Sequence, residues 1–197
     1  MTMSNPLRLP SLQTERLVIR DFTPDDFDTI RRILDTEEPF GKGASEAERR
    51  HWFDWSMMNY EAFASLYQPP WGDRAVTLAD TGEVIGVVGY TTMFHPLTEI
   101  LEGKKSSEAK WQPEMGLFWV VTPTHRGKGY AEEAARALIA YAFEHFNLKR
   151  IVANTDFDNK ASQAVMKKLG MTLHENKDGK LEWFEVLGVL DNERNQA

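Results

Sequence analysis

The residues best suited to bind a charged ligand lie in one short segment, residues 125–131, which reads His-Arg-Gly-Lys-Gly-Tyr-Ala. Gly127 and Gly129 allow the backbone to turn sharply and to approach a ligand closely. Arg126 and Lys128 add two cationic side chains at the same place. If a helix begins directly after these glycines, its unpaired amide groups and positive dipole end favour an anion. The segment therefore predicts a phosphate-binding loop.

The patterns on either side of this loop predict the elements that hold it. An apolar run, 114–121, precedes the loop and predicts a buried strand, and an alanine-rich amphipathic stretch, 130–146, follows it and predicts a helix. Capping boxes at Thr23 and Ser45 predict two earlier helices. The remaining predicted elements are a strand at 17–19, helices at 24–35 and from 45 to before Pro69, a hairpin at 74–79 and 83–93, a strand at 150–156, a helix at 159–169 and a terminal hairpin at 171–175 and 181–190.

Two other phosphate-binding motifs do not fit these residues. A P-loop needs Ser or Thr directly after its lysine, where this chain has Gly129. A dinucleotide fingerprint needs a small residue in place of Glu132 and a position near the start of the domain. A glycine-rich turn with solvated basic side chains is the remaining alternative to a phosphate grip.

The composition bounds the class of protein. With 197 residues and a mass of 22.6 kDa, the chain suits one domain, predicted over 1–197 with a flexible segment at 1–10. It has no cysteine, which excludes disulfides, cysteine nucleophiles and thiolate metal sites. The net charge of −7 argues against nucleic-acid binding and is compatible with a cationic substrate such as an amine. No stretch approaches the roughly 20 apolar residues of a membrane span, so we predict a soluble cytoplasmic protein without a membrane partner.

Arg126, Gly129 and Ala131 form the pattern Arg-x-x-Gly-x-Ala, which resembles the Q/R-x-x-G-x-G/A pyrophosphate loop of the GNAT N-acetyltransferase superfamily. The order of predicted elements is similar to that of the superfamily over nearly the whole chain. The resemblance implies an α/β (α+β) fold, a single domain with a mixed central sheet of about seven strands and about four helices, in which a splayed strand pair holds acyl-CoA. The chain looks most like the RimJ/RimL branch, through Thr-Glu-Arg-Leu at 14–17, Glu-Met-Gly at 114–116, Arg-Gly-Lys-Gly-Tyr-Ala at 126–131, Asn-Lys-Ala-Ser at 159–162 and Lys-Leu-Gly-Met at 168–171.

The resemblance implies an enzyme that moves an acetyl group from acetyl-CoA, its co-substrate, to a primary amine. The acceptor would be a protein N-terminus or a small-molecule amine, and transfer would be direct within a ternary complex. A homodimer is compatible with the resemblance. A non-catalytic acyl-CoA sensor or scaffold of the same fold is one alternative, and an enzyme of another phosphate-bearing ligand is a second. The sequence does not choose the acceptor or the acyl chain length.

Two residues are predicted to carry the transfer. The amine must lose a proton, and Glu114 matches the glutamate that often serves as the base in relatives; a strand-end glutamate facing water is the alternative interpretation. Ser162 holds the position of a serine in the RimL-like branch, where its hydroxyl could donate to the leaving thiolate; a local hydrogen bond at a helix start is the alternative. Met166 stands where many relatives have a tyrosine and cannot donate. Glu182 and Asp156 are the second and third candidates for the base.

The other predicted contacts concern the two substrates. By the resemblance, backbone groups of strand 114–121 pair with the pantetheine arm, while the side chains from Leu117 to Val121 are interpreted as core. Aromatic residues between Trp52 and Trp71 fall where relatives build the acceptor pocket, although core packing is the preferred interpretation for most of them. The long connection 95–113, with residues 104–107, could cover the acceptor. No metal site is predicted, because the five histidines lack metal-binding spacings. The cofactor-binding prediction comprises Leu117, Phe118, Trp119, Val120, Val121, Arg126, Gly127, Lys128, Gly129, Tyr130, Ala131, Asn159 and Ser162.

Overall fold

A computed structural model describes residues 7–37, 44–102, 108, 110–177, 179, 181–182 and 184–192. These residues form eight β-strands and five α-helices, the mixed class that the sequence predicts. Short helical segments also occur at Pro24–Asp26, Arg32–Glu37 and Pro123–His125. The elements are β1 (Leu12–Gln13), β2 (Leu17–Arg20), α1 (Phe27–Arg31), α2 (Glu46–Ser65), β3 (Gly72–Leu78), β4 (Val84–His95), α3 (Leu97–Leu101), β5 (Gln112–Val121), α4 (Tyr130–His145), β6 (Arg150–Thr155), α5 (Lys160–Lys168), β7 (Thr172–Glu175) and β8 (Val186–Asp191).

The described strands form one mixed sheet in the order β1-β2-β3-β4-β5-β6-β8-β7. Strands β1 to β4 pair antiparallel with their neighbours, as do β6 with β8 and β7 with β8. Strand β5 pairs with β6 in parallel. The sequence predicts about seven strands, and the additional one is β1, whose two residues are too few to leave a periodic pattern. The additional helix is α3, within the connection that the sequence treats as a loop.

The predicted helix starts are confirmed in atomic detail. At α2, Ser45 Oγ accepts a hydrogen bond from Glu48 N at 3.3 Å, and Ser45 N donates to Glu48 Oε2 at 2.7 Å. At the first helical segment, Thr23 N donates to Asp26 Oδ2 at 2.7 Å. Each box satisfies amide groups that a helix leaves unpaired, so it fixes where the helix begins.

The chain divides by its contacts into two compact units, each with its own core. The first unit comprises Met1–Tyr90 and Phe118–Ala140, and the second comprises Thr91–Leu117 and Tyr141–Ala197. In the first unit, α4 is tied to β4 by the Tyr90 hydroxyl, which donates to Leu138 O at 2.6 Å. The core of the first unit contains Phe22, Phe27, Ile30, Ile33, Leu34, Phe53, Tyr60, Ala75, Val87 and Val120, and that of the second contains Met93, Leu97, Val152, Phe184, Leu187 and Val189.

Strands β5 and β6 are the pair that the resemblance expects to be splayed. Their parallel pairing is confined to Met115 with Ile151 and Gly116 with Val152. Gly116 is required for a close approach, because a Cβ there would lie 2.7 Å from Thr91 Cγ2 and 3.0 Å from Thr91 O. Because pairing stops after Gly116, backbone groups further along β5 lack a strand partner in β6.

The structure corrects the end of the chain. Strand β8 begins at Val186 instead of residue 181, because the segment before it turns. Glu182, predicted to lie on that strand, is an exposed turn residue. Residues 104–107, predicted as a cover for the acceptor, and the first six residues of the predicted flexible segment 1–10 lie outside the described residues. In the parts that are described, every helix is too short or too polar to span a bilayer.

Candidate functional site

The predicted phosphate-binding loop, which lies in the first unit, has the backbone that its glycines predict. Gly127 and Gly129 have φ angles of 74° and 84°, in the left-handed region that favours glycine. Helix α4 begins at the next residue, Tyr130, and Glu133 N donates to Gly129 O at 3.0 Å. No described residue accepts a hydrogen bond from the amides of Gly127, Gly129 or Tyr130. The loop therefore presents free donors at the positive end of a 16-residue helix.

The cationic side chains of the loop are placed to complete this anion site. Arg126 lies on the surface, and its Nε donates to Val121 O at 3.0 Å, which joins the loop to the end of β5. Gly127 and Lys128 are exposed, and Gly129, Tyr130 and Ala131 are half-buried. Free amides, two cations and a helix N-terminus together fit a pyrophosphate.

Arg16, a residue for which the sequence predicts no role, contacts this loop. Its NH1 donates to Lys128 O at 2.9 Å, and its guanidinium lies 4.6 Å from the centre of the Tyr130 ring. A Cβ on Gly129 would lie 3.4 Å from Arg16 NH2. Arg16 is part of the Thr-Glu-Arg-Leu segment, and nothing in local spacing indicates that it lies beside residues 128–130.

Glu133 anchors Arg16 from the first turn of α4. Its Oε2 accepts from Arg16 Nε at 2.7 Å, and its Oε1 accepts from Arg16 N at 2.9 Å and from Thr14 Oγ1 at 2.6 Å. Burial raises the pKa of Glu133, but the hydrogen bonds from Thr14 and Arg16 outweigh burial and leave that pKa below its ordinary value. The carboxylate therefore stays ionised to a lower pH than an ordinary glutamate and holds Arg16 against the loop.

In the second unit, Glu114 has the environment expected of a proton acceptor. Its side chain is 13% exposed, and its Oε1 lies 3.9 Å from Arg150 Nε. Burial raises the pKa of Glu114 above its ordinary value, and the positive charges of Arg150 and Lys149 only partly oppose that effect. Arg150 is shared, since its Nε also lies 3.4 Å from Asp191 Oδ1. A carboxylate that is partly desolvated and loosely paired can accept a proton nearer to neutral pH than a surface glutamate.

The start of α5 gives Asn159, a predicted cofactor-binding residue, a structural role as well. Its Oδ1 accepts from Ser162 N at 3.0 Å, so Asn159 caps the helix. The backbone of Ser162 is thus held while its half-buried hydroxyl makes no hydrogen bond to a described residue. Met166 is fully buried and packs in the core. The hydroxyl of Ser162 is therefore available for a ligand.

The remaining predicted residues divide into core and surface. Leu117, Val120 and Val121 are buried, as predicted, and Phe118 packs against the core of the first unit while half-buried. Trp119 is half-buried as well. Asp156, like Glu182, is exposed, and neither position has the desolvation that would adapt a carboxylate to act as a base.

Comparisons with known proteins show the family and the fold of this chain. Residues 16–172 match the acetyltransferase (GNAT) domain. The chain is 29% identical over 179 residues to the uncharacterized N-acetyltransferase YoaA of Bacillus subtilis, covering 89% of this chain and 88% of that protein. An acetyltransferase structure from Agrobacterium tumefaciens superposes with a TM-score of 0.68 at 26% identity, over 93% of this chain and 95% of that one. The ribosomal L7/L12 alpha-N-protein acetyltransferase RimL, solved with coenzyme A, shares the fold with a TM-score of 0.62 at 12% identity, over 90% and 95% of the two chains.

Proposed function

Because this chain belongs to the GNAT acetyltransferase family, whose co-substrate is acetyl-CoA, we propose that it is a RimJ/RimL-like member that acetylates a primary amine by direct transfer within a ternary complex. The acceptor is a protein N-terminus or a small-molecule amine. The observation that carries the proposal is Glu114, a largely buried carboxylate with a raised pKa and no hydrogen bond to a described residue.

The loop residues supply binding and orientation. Amide groups of Gly127, Gly129 and Tyr130 donate to the pyrophosphate, and Arg126 and Lys128 neutralise its charge. Backbone groups of Leu117 to Val121 are proposed to pair with the pantetheine arm, since the pairing of β5 with β6 stops at Gly116. Holding both reactants in line is worth up to roughly 7–11 kcal/mol of the barrier.

Glu114 and Ser162 supply the proton chemistry. The thioester provides an activated acetyl group. Glu114 accepts one proton from the ammonium of the acceptor, and the freed nitrogen then bonds to the acetyl carbon as the carbon–sulfur bond breaks. The Ser162 hydroxyl donates a hydrogen bond to the departing sulfur, which takes the second amine proton. The products are an amide and a free thiol, and Glu114 returns its proton to water.

Thiol release from acetyl-CoA, measured against peptides, aminoglycosides, polyamines and amino acids, tests this function. We expect release that depends on both acetyl-CoA and one class of amine, with the acetylated amine identified by mass spectrometry. Coenzyme A, but not NAD or ATP at equal concentration, should raise the melting temperature, because a ligand that binds the native state stabilises it. Binding of coenzyme A without thiol release for any amine would favour a sensor, and a larger shift with ATP would favour another phosphate-bearing ligand.

A further inference from the structure

Three ionisable side chains of the second unit form a row across neighbouring strands, which we call the charge row: Glu114, Arg150 and Asp191. Met115 of β5 pairs with Ile151 of β6 in parallel, so the residues directly before them, Glu114 and Arg150, lie level with each other. Arg150 is in turn the antiparallel partner of Asp191 on β8. Side chains at paired positions of adjacent strands point to the same face of a sheet. One cation therefore lies between two carboxylates.

The cation of the charge row is buried and is bound tightly to neither acid. Arg150 Nε lies 3.9 Å from Glu114 Oε1 and 3.4 Å from Asp191 Oδ1. The side chains of Arg150 and Glu114 are 9% and 13% exposed, whereas that of Asp191 is 50% exposed. Arg150 Nε is buried and donates no hydrogen bond to a described residue. Because a buried donor is costly to leave without an acceptor, a second arrangement in which it binds one acid closely is favoured.

The backbone beside Arg150 holds the charge row in place. Asn192 N donates to Lys149 O at 2.9 Å, and Asn192 Nδ2 donates to Leu148 O at 3.0 Å. These bonds join the residue directly after β8 to the two residues before β6. Because they hold the two strand ends in register, a change of partner by Arg150 is a movement of its side chain between two fixed acids.

The charges of the row favour the uptake of one proton, and burial determines which acid takes it. With both carboxylates ionised the row has one excess negative charge, and with one of them protonated it is neutral. Water stabilises the ionised form of Asp191, while burial disfavours the ionised form of Glu114. Burial accordingly raises the pKa of Glu114, Arg150 and Lys149 oppose that effect, and Asp191 adds to it. We therefore expect the proton at Glu114.

Other ionisable groups occur on the elements that share the second core. Strand β4 contributes Met93 to that core and ends at His95, whose pKa burial lowers. Helix α3 packs in the same core through Leu97 and carries Glu99. Neither His95 nor Glu99 is among the described groups that shift the pKa of Glu114. The charge row is thus the electrostatic environment to test.

We propose that Arg150 and Asp191 are positioning residues for Glu114, and that Arg150 moves from Glu114 to Asp191 when Glu114 accepts the amine proton and returns when that proton leaves to water. The inference rests on the proposed function and describes how its base is regulated. A protonated Glu114 no longer balances the buried guanidinium, and a buried cation without a counter-charge is strongly destabilised. Asp191 supplies a second counter-charge, so the protonated form of the base keeps one ion pair.

A pH titration of the full chain by NMR, with isotope labels in the glutamate carboxyl groups and the arginine side chains, tests this exchange without turnover. The signals of Glu114 and Arg150 are those that disappear in Glu114→Gln and Arg150→Lys. In wild-type protein the Arg150 Nε–H signal should change with the same midpoint as the Glu114 carboxyl signal. Asp191→Asn should lower the Glu114 midpoint by about 0.5 to 1 pH unit, because Arg150 then stays with Glu114.

Two further variants are matched controls for the loss of charge. Asp191→Glu keeps the charge and should restore most of the wild-type midpoint. Glu144→Gln removes the charge of an exposed acid in the same unit and should leave the midpoint unchanged. In turnover, Asp191→Asn should move the acidic limb of the pH–rate profile to lower pH by the same amount, with acetyl-CoA affinity unchanged. A merely structural role of Asp191 would lower the rate at every pH without moving the limb.

A wild-type Glu114 midpoint in Asp191→Asn, or an Arg150 signal that stays constant while Glu114 titrates, overturns the inference. A lowered midpoint with an unmoved acidic limb overturns it as well, since the charge row would then not act on the reaction. Because the NMR titration needs no turnover, an amine panel that releases no thiol would reject the proposed function alone. The expected midpoints would in that case still support the exchange of Arg150 between the two acids.

Discussion

Arg16 and Glu133 lie 117 residues apart in the sequence, and both carboxylate oxygens of Glu133 accept a hydrogen bond from Arg16. Arg16 Nε donates to Oε2 at 2.7 Å, and Arg16 N donates to Oε1 at 2.9 Å. The contact joins Arg16, the residue directly before β2, to the first turn of α4. Because Arg16 also donates to Lys128 O, the pair determines the shape of the glycine loop that α4 follows. The loop is therefore held by contacts within the protein itself.

Substituting Arg16 with Gln should weaken coenzyme A binding by about 10-fold, the scale of one lost charge-assisted hydrogen bond. The free energy of unfolding should change by less than about 1 kcal/mol, because Arg16 is 42% exposed. Titration calorimetry and thermal denaturation measure the two effects. Arg136→Gln is the matched control, since Arg136 pairs with Glu132 on the exposed side of the same helix at 2.9 Å. Equal losses in both variants would mean that general surface charge, not the loop, is responsible.

Substituting Gly129 with Glu should abolish acetyl-CoA binding and leave the fold intact. The change adds negative charge at a pyrophosphate site, and it forces a side chain onto a residue with φ of 84° beside Arg16. Titration of acetyl-CoA, together with circular dichroism, measures both outcomes. Gly82→Glu carries the same backbone strain, at φ of 73° in the β3–β4 turn with open space around it, and should bind normally. Wild-type affinity in the Gly129 variant would show that the loop does not bind acetyl-CoA.

Substituting Ser162 with Ala should lower the rate of the chemical step by up to about 100-fold, with acetyl-CoA affinity unchanged. The helix cap remains, because Asn159 bonds the backbone amide of Ser162 and not its hydroxyl. Single-turnover kinetics separates this step from product release. Asn159→Ala is the complementary variant and should cost about 1 kcal/mol of stability through loss of the cap. An unchanged chemical step in the Ser162 variant would assign the serine to the fold alone.

Substituting Glu114 with Gln should lower the rate by about 10² to 10⁴ and flatten the acidic limb of the pH–rate profile. Glu114 accepts protons only when ionised, and burial raises its pKa, so the wild-type rate should fall as the pH drops through that raised pKa. Pre-steady-state rates at a series of pH values test this. Glu182→Gln serves as the control, because Glu182 is exposed in a turn. If the Glu114 variant keeps the wild-type acidic limb, Glu114 is not the base, and water would be the proton acceptor to test next.

Substituting Asp73 with Asn should stabilise the protein by about 1 to 2 kcal/mol at pH 7.5, with the gain disappearing near pH 4. The pKa of Asp73 is raised to about 6, against the attraction of Arg74 on its own strand and Arg49 on α2. At low pH the group is neutral in both the folded and the unfolded state. Between about pH 4 and pH 6 the unfolded chain ionises while the folded state resists, so the cost of the buried charge builds up over that interval and is constant above it. Melting temperatures across this range measure the effect. A constant difference would show that packing, not charge, is responsible.

Spacing along the chain is sufficient to predict the helix starts and the shape of the glycine loop. Gly127 and Gly129 must adopt backbone angles that other residues avoid, and a helix that starts after them needs no distant partner to present its amides. The capping boxes at Thr23 and Ser45 are likewise local, because their partners lie three residues away. Such features can be read from spacing, since the residues that interact are neighbours in the chain.

The distant residues that contact these elements could not be predicted from spacing and are known from the folded structure. Arg16 reaches Glu133 and Lys128 because β2 and α4 fold together. Among the described residues Asp73 has no ion pair, since Arg49 and Arg74 bind other acids. The exposed turn at Glu182 has the same origin, since β8 can begin only where it pairs with β6 and β7. Pairing, burial and desolvation depend on which groups surround a side chain in space. The order of residues in the sequence does not state which distant residues these are.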